Sequence, residues 1–377
     1  MKITGILFIL MGYSALAMAQ TSNSKNFYLL IGTYSNQEKT NGIHVYTFNA
    51  ATGEFSEKSK FTDITNPSYL AVSKDRKNVY AVSEGGAGKG MNAFAFDMAS
   101  GKLTYLNSGS SGGNGPCYVS VDDKKQTVFA ANYGGGSLSA TRLNSDGSLS
   151  GDIQVIQHEG TGVNKSRQDK PHVHSVVLSP DDRYLLVQDL GTDKVSVYRY
   201  DPQGTKPLTP AEPAFATVKA GGGPRHLTFH PNGKYAYVIL EMGGDIVGFD
   251  YKNGKLTPKQ TITMLSPGFK GDVGAADIHI SPDGKFLYGS NRGDANEIVI
   301  YSIDKKGMLT YVGREHSMIS TPRNFAIDPT GNFLLVANQN SNDVVIFRRN
   351  QKTGLLTPAG NRIQVDKPVC LKFVPMD

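Results

Sequence analysis

The amino-acid sequence predicts an all-β protein, a seven-bladed β-propeller whose last blade is closed by N- and C-terminal strands. One motif recurs about every 50 residues along the 377-residue chain. The seventh copy is incomplete at the C-terminus, and its missing strands match the N-terminal sequence. Periods of about 40 to 50 residues are typical of repeat architectures such as propellers. No stretch has the periodicity of an amphipathic helix.

The repeat is clearest at residues 223–234, where Gly-Pro-Arg-His precedes a short apolar segment and a Pro-Asn-Gly turn. The positions equivalent to Pro224 in the copies are Pro67, Pro116, Val173, Pro224, Ala275, Pro322 and Pro368. β-Branched and aromatic runs such as residues 194–198 follow the turns, as expected for strands. Each copy therefore predicts a four-stranded antiparallel sheet.

The two ends of the chain are predicted to share the seventh blade. The last copy contains only a first strand, residues 369–374, while residues 28–34 and 42–48 resemble a second and a third strand. Such closure leaves no free sheet edge. A ring of six or eight blades would require one copy to be misread.

The N-terminus predicts export. Lys2 precedes an apolar run at residues 3–11, and Ala17-Met18-Ala19 resembles a cleavage site. We therefore expect a signal peptide at residues 1–19, a propeller domain at 20–377, and a periplasmic or secreted protein. A membrane anchor is the alternative, but the run is shorter than the ~20 residues that a spanning helix needs. We expect no membrane span after cleavage.

Charge and cysteine content exclude two classes of protein. The net charge of +6 is spread along the sequence rather than clustered, so no nucleic-acid partner is expected. Cys117 and Cys370 are too few for a disulfide framework and leave one possible bridge or two buried thiols. The repeat places them on blades that are not neighbours, which favours buried thiols. We expect a monomer or a weak homodimer.

Two rings of residues are predicted at one mouth of the central channel, one where each first strand begins and one where each second strand ends. The first ring contains Ser68, Cys117, His174, Arg225, Ala276, Arg323 and Val369. The second ring contains Tyr34, Glu84, Tyr133, Leu190, Glu241, Arg292 and Gln339. Structural positions should repeat one residue type, whereas these positions differ in nearly every blade. The mouth is therefore the predicted functional site.

Four residues on three consecutive blades are the predicted catalytic group: His174, Arg225, Glu241 and Arg292. The predicted substrate-binding residues are Arg323, Asn291, Asn324, Asn338, Glu84 and His172. Arginines gathered at a channel repel one another unless they face carboxylates or an anionic ligand. The alternative is purely structural, with a hydrogen-bonded histidine and an Arg–Glu ion pair.

Other patterns give weaker signals. His172 and His174 have the spacing of a metal-binding pair, but no third ligand is obvious. Calcium ligands from Glu84, Asn132, Asn291 and Asn338 would be possible but have no further support. The one Gly-x-Ser-x-Gly sequence, residues 109–113, is not followed by helical periodicity and so does not predict a nucleophile elbow. We expect neither a metal nor another cofactor.

The motifs Ile31-Gly32-Thr33-Tyr34, Asn66-Pro67-Ser68-Tyr69-Leu70, Ala131-Asn132-Tyr133, Val173-His174-Ser175, Gly223-Pro224-Arg225-His226, Ser290-Asn291-Arg292 and Thr321-Pro322-Arg323-Asn324-Phe325 cover the whole chain after the leader. They resemble the propeller lactonase family, which includes bacterial propeller-type 6-phosphogluconolactonase and the fungal carboxymuconate-lactonising enzyme. The residues proposed as functional in that family fall, by motif, on the same four predicted catalytic positions.

The resemblance implies cofactor-independent hydrolysis of a small-molecule sugar lactone, as in 6-phosphogluconolactonase. The two arginines Arg225 and Arg292 would bind the anionic substrate, and His174 or Glu241 would be the general base for water. The phosphogluconolactonases of central metabolism are cytoplasmic, so predicted export argues against a phosphorylated substrate but leaves the lactone class unaffected. The alternatives are a muconate-type cycloisomerase and a non-catalytic propeller that binds a ligand or protein at the mouth.

Overall fold

The computed structural model describes residues 25–34, 42–85 and 90–377, and all the regular elements in these ranges are β-strands. The strands are, in chain order, β1 (Asn26–Thr33), β2 (Ile43–Asn49), β3 (Phe55–Phe61), β4 (Leu70–Val72), β5 (Asn78–Val82), β6 (Met91–Asp97), β7 (Lys102–Gly109), β8 (Pro116–Val121), β9 (Thr127–Asn132), β10 (Ser137–Leu143), β11 (Leu149–Gln157), β12 (Val173–Leu178), β13 (Tyr184–Asp189), β14 (Lys194–Tyr200), β15 (Leu208–Thr217), β16 (Pro224–Phe229), β17 (Tyr235–Leu240), β18 (Asp245–Lys252), β19 (Lys255–Thr263), β20 (Ala275–Ile280), β21 (Phe286–Asn291), β22 (Glu297–Ile303), β23 (Leu309–Glu315), β24 (Pro322–Ile327), β25 (Phe333–Asn338), β26 (Asp343–Arg349), β27 (Leu356–Gln364) and β28 (Pro368–Pro375).

The strands form seven four-stranded antiparallel sheets, and the predicted seven-bladed propeller is confirmed. Blades 1 to 6 are β4–β7, β8–β11, β12–β15, β16–β19, β20–β23 and β24–β27. Blade 7 has the order β28-β1-β2-β3, with Tyr28 of β1 opposite Thr47 on one side and Val374 on the other. The last blade is therefore closed by strands from both ends of the chain, as predicted.

Neighbouring blades are joined by buried tyrosines on their second strands. The Tyr80 hydroxyl donates to the Gly147 carbonyl of the next blade at 2.9 Å, and Tyr237 donates to Gly307 at 2.8 Å. Both glycines have positive φ, 87° and 76°, a conformation that glycine adopts without steric cost. Each bond satisfies a hydroxyl that burial would otherwise leave unpaired. The repeated contact ties the turn of one blade to the core of its neighbour.

Apolar faces of adjacent sheets pack against each other between the blades. At the junction of blades 6 and 7, the Phe48 and Phe333 rings meet edge to face with centroids 5.6 Å apart. Both side chains are almost fully buried. Burial of this kind stabilises by roughly 1.5–3 kcal/mol per large side chain. The closing blade is thus packed against blade 6 through buried aromatic side chains.

The innermost strand of most blades has a β-bulge next to the mouth of the channel. In six blades the pairing between the first and second strands shifts register at the first-ring position, as at His174, Arg225 and Arg323. A bulge leaves a residue outside the regular pairing and re-aims its side chain. In six blades, the side chain at the first-ring position therefore need not follow the alternation of side chains between the two faces of the sheet.

The two cysteines lie in separate parts of the ring. Cys117 is on β8 of blade 2 and Cys370 is on β28 of blade 7, with blade 1 between them. Both are buried and free, so the predicted pair of buried thiols is confirmed. The predicted signal peptide, residues 1–19, lies outside the described residues. Within the described ranges, no helix is long and apolar enough to cross a membrane.

Candidate active site

The mouth is built from two kinds of chain segment that the repeat places side by side. β16 begins with Pro224 and presents Arg225, while the segment after β17 presents Glu241. The same positions in neighbouring blades supply His174 at the start of β12 and Arg292 after β21. The four residues predicted as catalytic are brought together there, as the following distances show.

Glu241 is the centre of this group. Its Oε2 accepts a hydrogen bond from Arg225 Nε at 2.9 Å and lies 3.2 Å from Arg292 Nη2, while Oε1 accepts from Arg167 Nη2 at 2.6 Å. Burial would raise the pKa of Glu241, but Arg292, Arg225 and Arg167 outweigh it and lower the pKa to about 2. Glu241 is therefore a carboxylate at neutral pH, with three arginines around it.

Arg225 is held on two sides although its side chain is only 2% exposed. Besides the bond to Glu241, Nη1 donates to the Ala276 carbonyl at 2.5 Å and lies 3.2 Å from His226 Nε2. The remaining amino group, Nη2, has no hydrogen-bond partner among the residues that the structure describes. The guanidinium is thus fixed by the protein and keeps one amino group for a ligand.

His174 faces the same carboxylate. Its Nε2 is 4.0 Å from Glu241 Oε2, and its ring meets Tyr133 and His226 edge to face with centroids 5.4 and 5.3 Å apart. Burial, and next the charge of Arg225, lower the pKa of His174 well below its ordinary value of 6.5. The imidazole is therefore neutral at pH 7, and one ring nitrogen can accept a proton.

Cys117 lies behind this histidine. Its Sγ is 3.8 Å from His174 Nδ1 and donates to the His174 carbonyl at 3.3 Å. Burial raises the pKa of the Cys117 thiol to about 12. A thiolate is the reactive form of cysteine, so Cys117 packs against the histidine as an unreactive thiol.

The opposite side of the mouth is formed by blades 6, 7 and 1. Tyr34 donates its hydroxyl hydrogen to Glu84 Oε2 at 2.9 Å, and Arg323 Nη2 is 4.0 Å from the same oxygen. The Arg323 guanidinium carbon lies 5.2 Å from the centre of the Tyr34 ring. Within the described part of the chain, Arg323 donates no hydrogen bond. Among the described residues, the N–H groups of Arg323 therefore have no acceptor within hydrogen-bond distance.

The two sides belong to one electrostatic site. The charge of Arg323 lowers the pKa values of His174 and Arg292, although burial is the largest cause in both cases. Four arginines (Arg167, Arg225, Arg292 and Arg323) face two glutamates (Glu84 and Glu241). The positive excess suits an anionic ligand.

His172 turns away from this centre toward blade 2. Its ring stacks on Tyr133 with centroids 4.6 Å apart, Nδ1 lies 3.0 Å from the Tyr133 carbonyl, and Nε2 lies 3.2 Å from Asp169 Oδ1. His172 and His174 therefore flank Tyr133 rather than share a ligand. Among the described residues, no three His, Cys, Asp or Glu side chains are grouped to hold a metal ion.

The three predicted asparagines make structural hydrogen bonds. Asn291 Oδ1 accepts from the Gly274 amide at 3.1 Å, and Asn338 Nδ2 donates to the Met318 carbonyl at 2.8 Å. Asn324 lies deeper in the channel, where its Oδ1 accepts from the Leu371 amide at 2.7 Å. Their contact with a substrate stays a prediction, because these bonds already use part of each amide.

Sequence reasoning missed Arg167, which lies in the connection between β11 and β12. Gln168 anchors this connection by donating to the Leu190 carbonyl at 2.9 Å, and Arg167 also donates to the Tyr133 hydroxyl at 3.2 Å. A signal for it was present: the repeat spacing from Pro116 to Val173 is 57 residues instead of about 50. The additional residues form the segment that brings Arg167 to Glu241.

Fold and site together define a seven-bladed propeller with a buried, arginine-rich mouth around one carboxylate and one neutral histidine. The family model for the lactonase, 7-bladed beta-propeller family matches residues 28–373. The chain therefore belongs to this lactonase family.

Several named proteins are similar to the chain over most of its length. It is 38% identical to a 6-phosphogluconolactonase of Formosa agariphila over 305 residues, which cover 80% of this chain and 86% of that protein. It is 33% identical to a 6-phosphogluconolactonase of Bacillus subtilis, and the match covers 91% of this chain and 97% of that protein. The solved structure of a periplasmic gluconolactonase of Pseudomonas aeruginosa superposes with a TM-score of 0.87 at 38% identity. The superposition covers 93% of this chain and 100% of that one.

Proposed function

We propose that this protein hydrolyses an anionic sugar lactone, in the manner of a 6-phosphogluconolactonase. The observation that carries the proposal is the set of arginine amino groups at the mouth, on Arg225 and Arg323, that donate no hydrogen bond to any described residue. They lie beside a neutral histidine. The names of the relatives support the same class of substrate.

In the proposed reaction, His174 Nε2 removes a proton from water while the water oxygen bonds to the ring carbonyl carbon. The carbonyl oxygen becomes an oxyanion, which Arg225 Nη2 and Arg292 stabilise by charge-assisted hydrogen bonds. When the intermediate collapses, the bond from the carbonyl carbon to the ring oxygen breaks. The His174 imidazolium returns its proton to that ring oxygen, and the product is a hydroxy acid.

His174 suits the role of base better than Glu241. Both oxygens of Glu241 are already paired with arginines and its pKa is about 2, whereas His174 Nε2 has no hydrogen-bond partner among the described residues. Glu241 instead orients the arginines. Its Oε2, 4.0 Å from His174 Nε2, also stabilises the imidazolium that forms when His174 takes the proton. Removal of Glu241 would leave three buried or half-buried arginines without their common counter-ion.

The experiment is a panel of lactones offered to the purified protein. Gluconolactone, 6-phosphogluconolactone and muconolactone are followed by pH-stat and NMR, and the products are analysed after reaction in ¹⁸O-labelled water. Hydrolysis incorporates one solvent oxygen into the acid, whereas a cycloisomerase does not. Binding of the acids without turnover of any lactone would contradict the proposal and favour a binding protein.

Export is the second part of the proposal. The apolar run after Lys2 and the Ala17-Met18-Ala19 segment support a cleaved leader at residues 1–19, and the name of the Pseudomonas relative includes a periplasmic location. N-terminal sequencing of the protein from cell fractions tests this. A cytoplasmic protein that begins at Met1 would contradict it.

A further inference from the structure

A third ring, of inward-facing residues, lies one position further along the first strand of each blade than the first ring, below the mouth. It contains Tyr69, Tyr118, Ser175, His226, Asp277, Asn324 and Cys370, and all but Tyr118 are buried. Asp277 is the one carboxylate in this ring and is 1% exposed. A buried carboxylate must be paired or hydrogen-bonded, so its partners show what it does.

Asp277 accepts hydrogen bonds on both oxygens. Oδ1 is 2.7 Å from His226 Nδ1, while Oδ2 is 2.9 Å from His279 Nε2, accepts from the Phe325 amide at 3.3 Å, and is bonded by the Asn324 amide nitrogen. Burial would raise the pKa of Asp277, but His279 and His226 hold it well below its ordinary value. A carboxylate cannot donate, so both imidazoles donate to it.

This pairing determines which nitrogen of His226 carries the proton. Burial and the charge of Arg225 lower the pKa of His226 to about 3, so the ring is neutral and has a single N–H. That N–H is on Nδ1, because Nδ1 faces the Asp277 carboxylate. Nε2 then has a free lone pair, and it lies 3.2 Å from Arg225 Nη1, which donates to it.

We propose that Asp277 and His226 are positioning residues for Arg225: they fix the imidazole tautomer that anchors the guanidinium and leave Nη2 toward the substrate. The inference rests on the proposed function for its kinetic consequence. The wrong tautomer would set the N–H of His226 Nε2 against the N–H of Arg225 Nη1. Neither residue is expected to touch the lactone.

The rings around His226 support a fixed orientation. Tyr69, Tyr118 and His174 all meet it edge to face, with centroids 5.8, 5.3 and 5.3 Å away. These contacts prevent the imidazole from turning out of the plane that joins Asp277 to Arg225. The surrounding rings therefore fix the position of the His226 imidazole, and Asp277 determines which of its nitrogens carries the proton.

The test is Asp277→Asn, which changes a single atom and keeps the shape. An amide has one oxygen, and three donors converge on the Oδ2 side, so the amide oxygen goes there and the NH₂ group faces His226 Nδ1. His226 must then move its proton to Nε2. We expect kcat on the best lactone of the panel to fall about 10- to 100-fold, as for other residues that orient a functional group through a hydrogen bond. KM should change little.

The decisive readout is ¹⁵N NMR of the histidines, with His226 assigned by comparison with His226→Gln. We expect its Nδ1–H form in the wild type and its Nε2–H form in Asp277→Asn. His279→Gln is the matched control: it removes another partner of Asp277 without touching Arg225, and its kcat should stay within about twofold of the wild type. Full kcat in an Asp277→Asn protein with the changed tautomer would overturn the inference, and so would an unchanged tautomer.

A second pair of variants covers the case in which Asp277→Asn does not fold. His226→Gln can still offer an oxygen to Arg225 Nη1, whereas His226→Leu cannot, and we expect Gln to retain at least 10-fold more kcat. Equal activities would contradict the positioning role. If the wild type hydrolyses no lactone, the proposed function fails, but the tautomer measurement and the calorimetric affinity for 6-phosphogluconate still test the Arg225 anchor.

Discussion

The two sides of the mouth use the same residue types in different ways. On the Glu241 side, Arg225 is bonded to the protein through Nε and Nη1, and Arg292 Nε donates to the Gly274 carbonyl at 3.0 Å. On the Glu84 side, Arg323 donates no hydrogen bond within the described residues and rests 5.2 Å from the centre of the Tyr34 ring. The arginines on the Glu241 side are therefore held by hydrogen bonds to the protein, whereas Arg323 on the Glu84 side donates none to the described residues.

The difference suggests a division of labour. Preorganised donors aimed at developing charge lower the barrier of the chemical step, because they cost no rearrangement during the reaction. An arginine that donates no hydrogen bond to the described residues can form such bonds with a ligand, and so contributes to binding. Variants on the Glu241 side should therefore lower kcat, and variants on the Glu84 side should raise KM.

The largest effect is expected from His174→Ala. Loss of the general base should lower kcat about 10²- to 10⁴-fold on the best lactone of the panel, because no other neutral base replaces its Nε2 in the proposed reaction. Initial rates by pH-stat measure this. Ser139→Ala is the matched control, because its buried hydroxyl has no partner among the described residues and Ser139 lies on β10, outside the two rings of the mouth. Equal rates for His174→Ala and the control would show that His174 is not the general base.

Arg225→Lys tests preorganisation with the charge kept. A lysine ammonium is a point charge and cannot span Glu241, the Ala276 carbonyl and His226 as the guanidinium does. We expect kcat to fall about 10²- to 10³-fold, the usual cost of one oxyanion donor. Steady-state kinetics and the melting temperature are measured together. Retention of kcat by the lysine variant would show that charge alone is sufficient on this side.

Arg323→Ala probes the other side of the mouth. Charge-assisted hydrogen bonds contribute about 1.5–3 kcal/mol, so KM should rise roughly 10- to 100-fold while kcat stays within about threefold. The comparison of gluconolactone with its 6-phosphate shows whether the lost contact was to the phosphate. A loss of kcat equal to that of Arg225→Lys would contradict the proposal that the Glu84 side contributes to binding rather than to the chemical step.

Much of this arrangement could be predicted from the sequence because a propeller repeats. Equivalent positions in the repeat become equivalent positions on one ring, so His174, Arg225, Glu241 and Arg292 could be placed together without coordinates. The closure of blade 7 followed from the same alignment. The ring positions gave the location of each residue, and the bulges at the first ring supplied the side-chain direction.

The parts that could not be predicted depend on contacts outside the repeat. Arg167 comes from a connection that has no counterpart in other blades, so alignment gave it no position. Asn324 bonds to residues in both neighbouring blades, and Asn338 bonds to a carbonyl in a loop. A ring position does not tell whether an amide faces the channel or satisfies such groups. The role of Glu241 as an ion-pair centre required distances to three separate arginines.

Arg167→Ala should have a small effect. Its side chain is 42% exposed, and an exposed ion pair contributes at most about 1 kcal/mol, or roughly a fivefold change in kcat/KM. Arg225 and Arg292 remain to compensate Glu241. The effect should shrink further in 0.5 M salt, because exposed charges are screened. A loss as large as that of Arg225→Lys would instead place Arg167 within the preassembled side.

The smallest effect is expected from pH. The base acts when unprotonated, and burial together with Arg225 lowers the pKa of His174 well below 6.5 in the free protein. Because kcat/KM reports the free enzyme, it should be nearly constant from pH 7.5 down to 6.5, varying by less than about 1.2-fold. It should fall only in more acidic solution, as His174 becomes protonated. A base with the ordinary value of 6.5 would already have lost about half of its unprotonated form at pH 6.5. Such a loss in the pH profile would indicate a solvated histidine and contradict the dry, preassembled geometry on the Glu241 side.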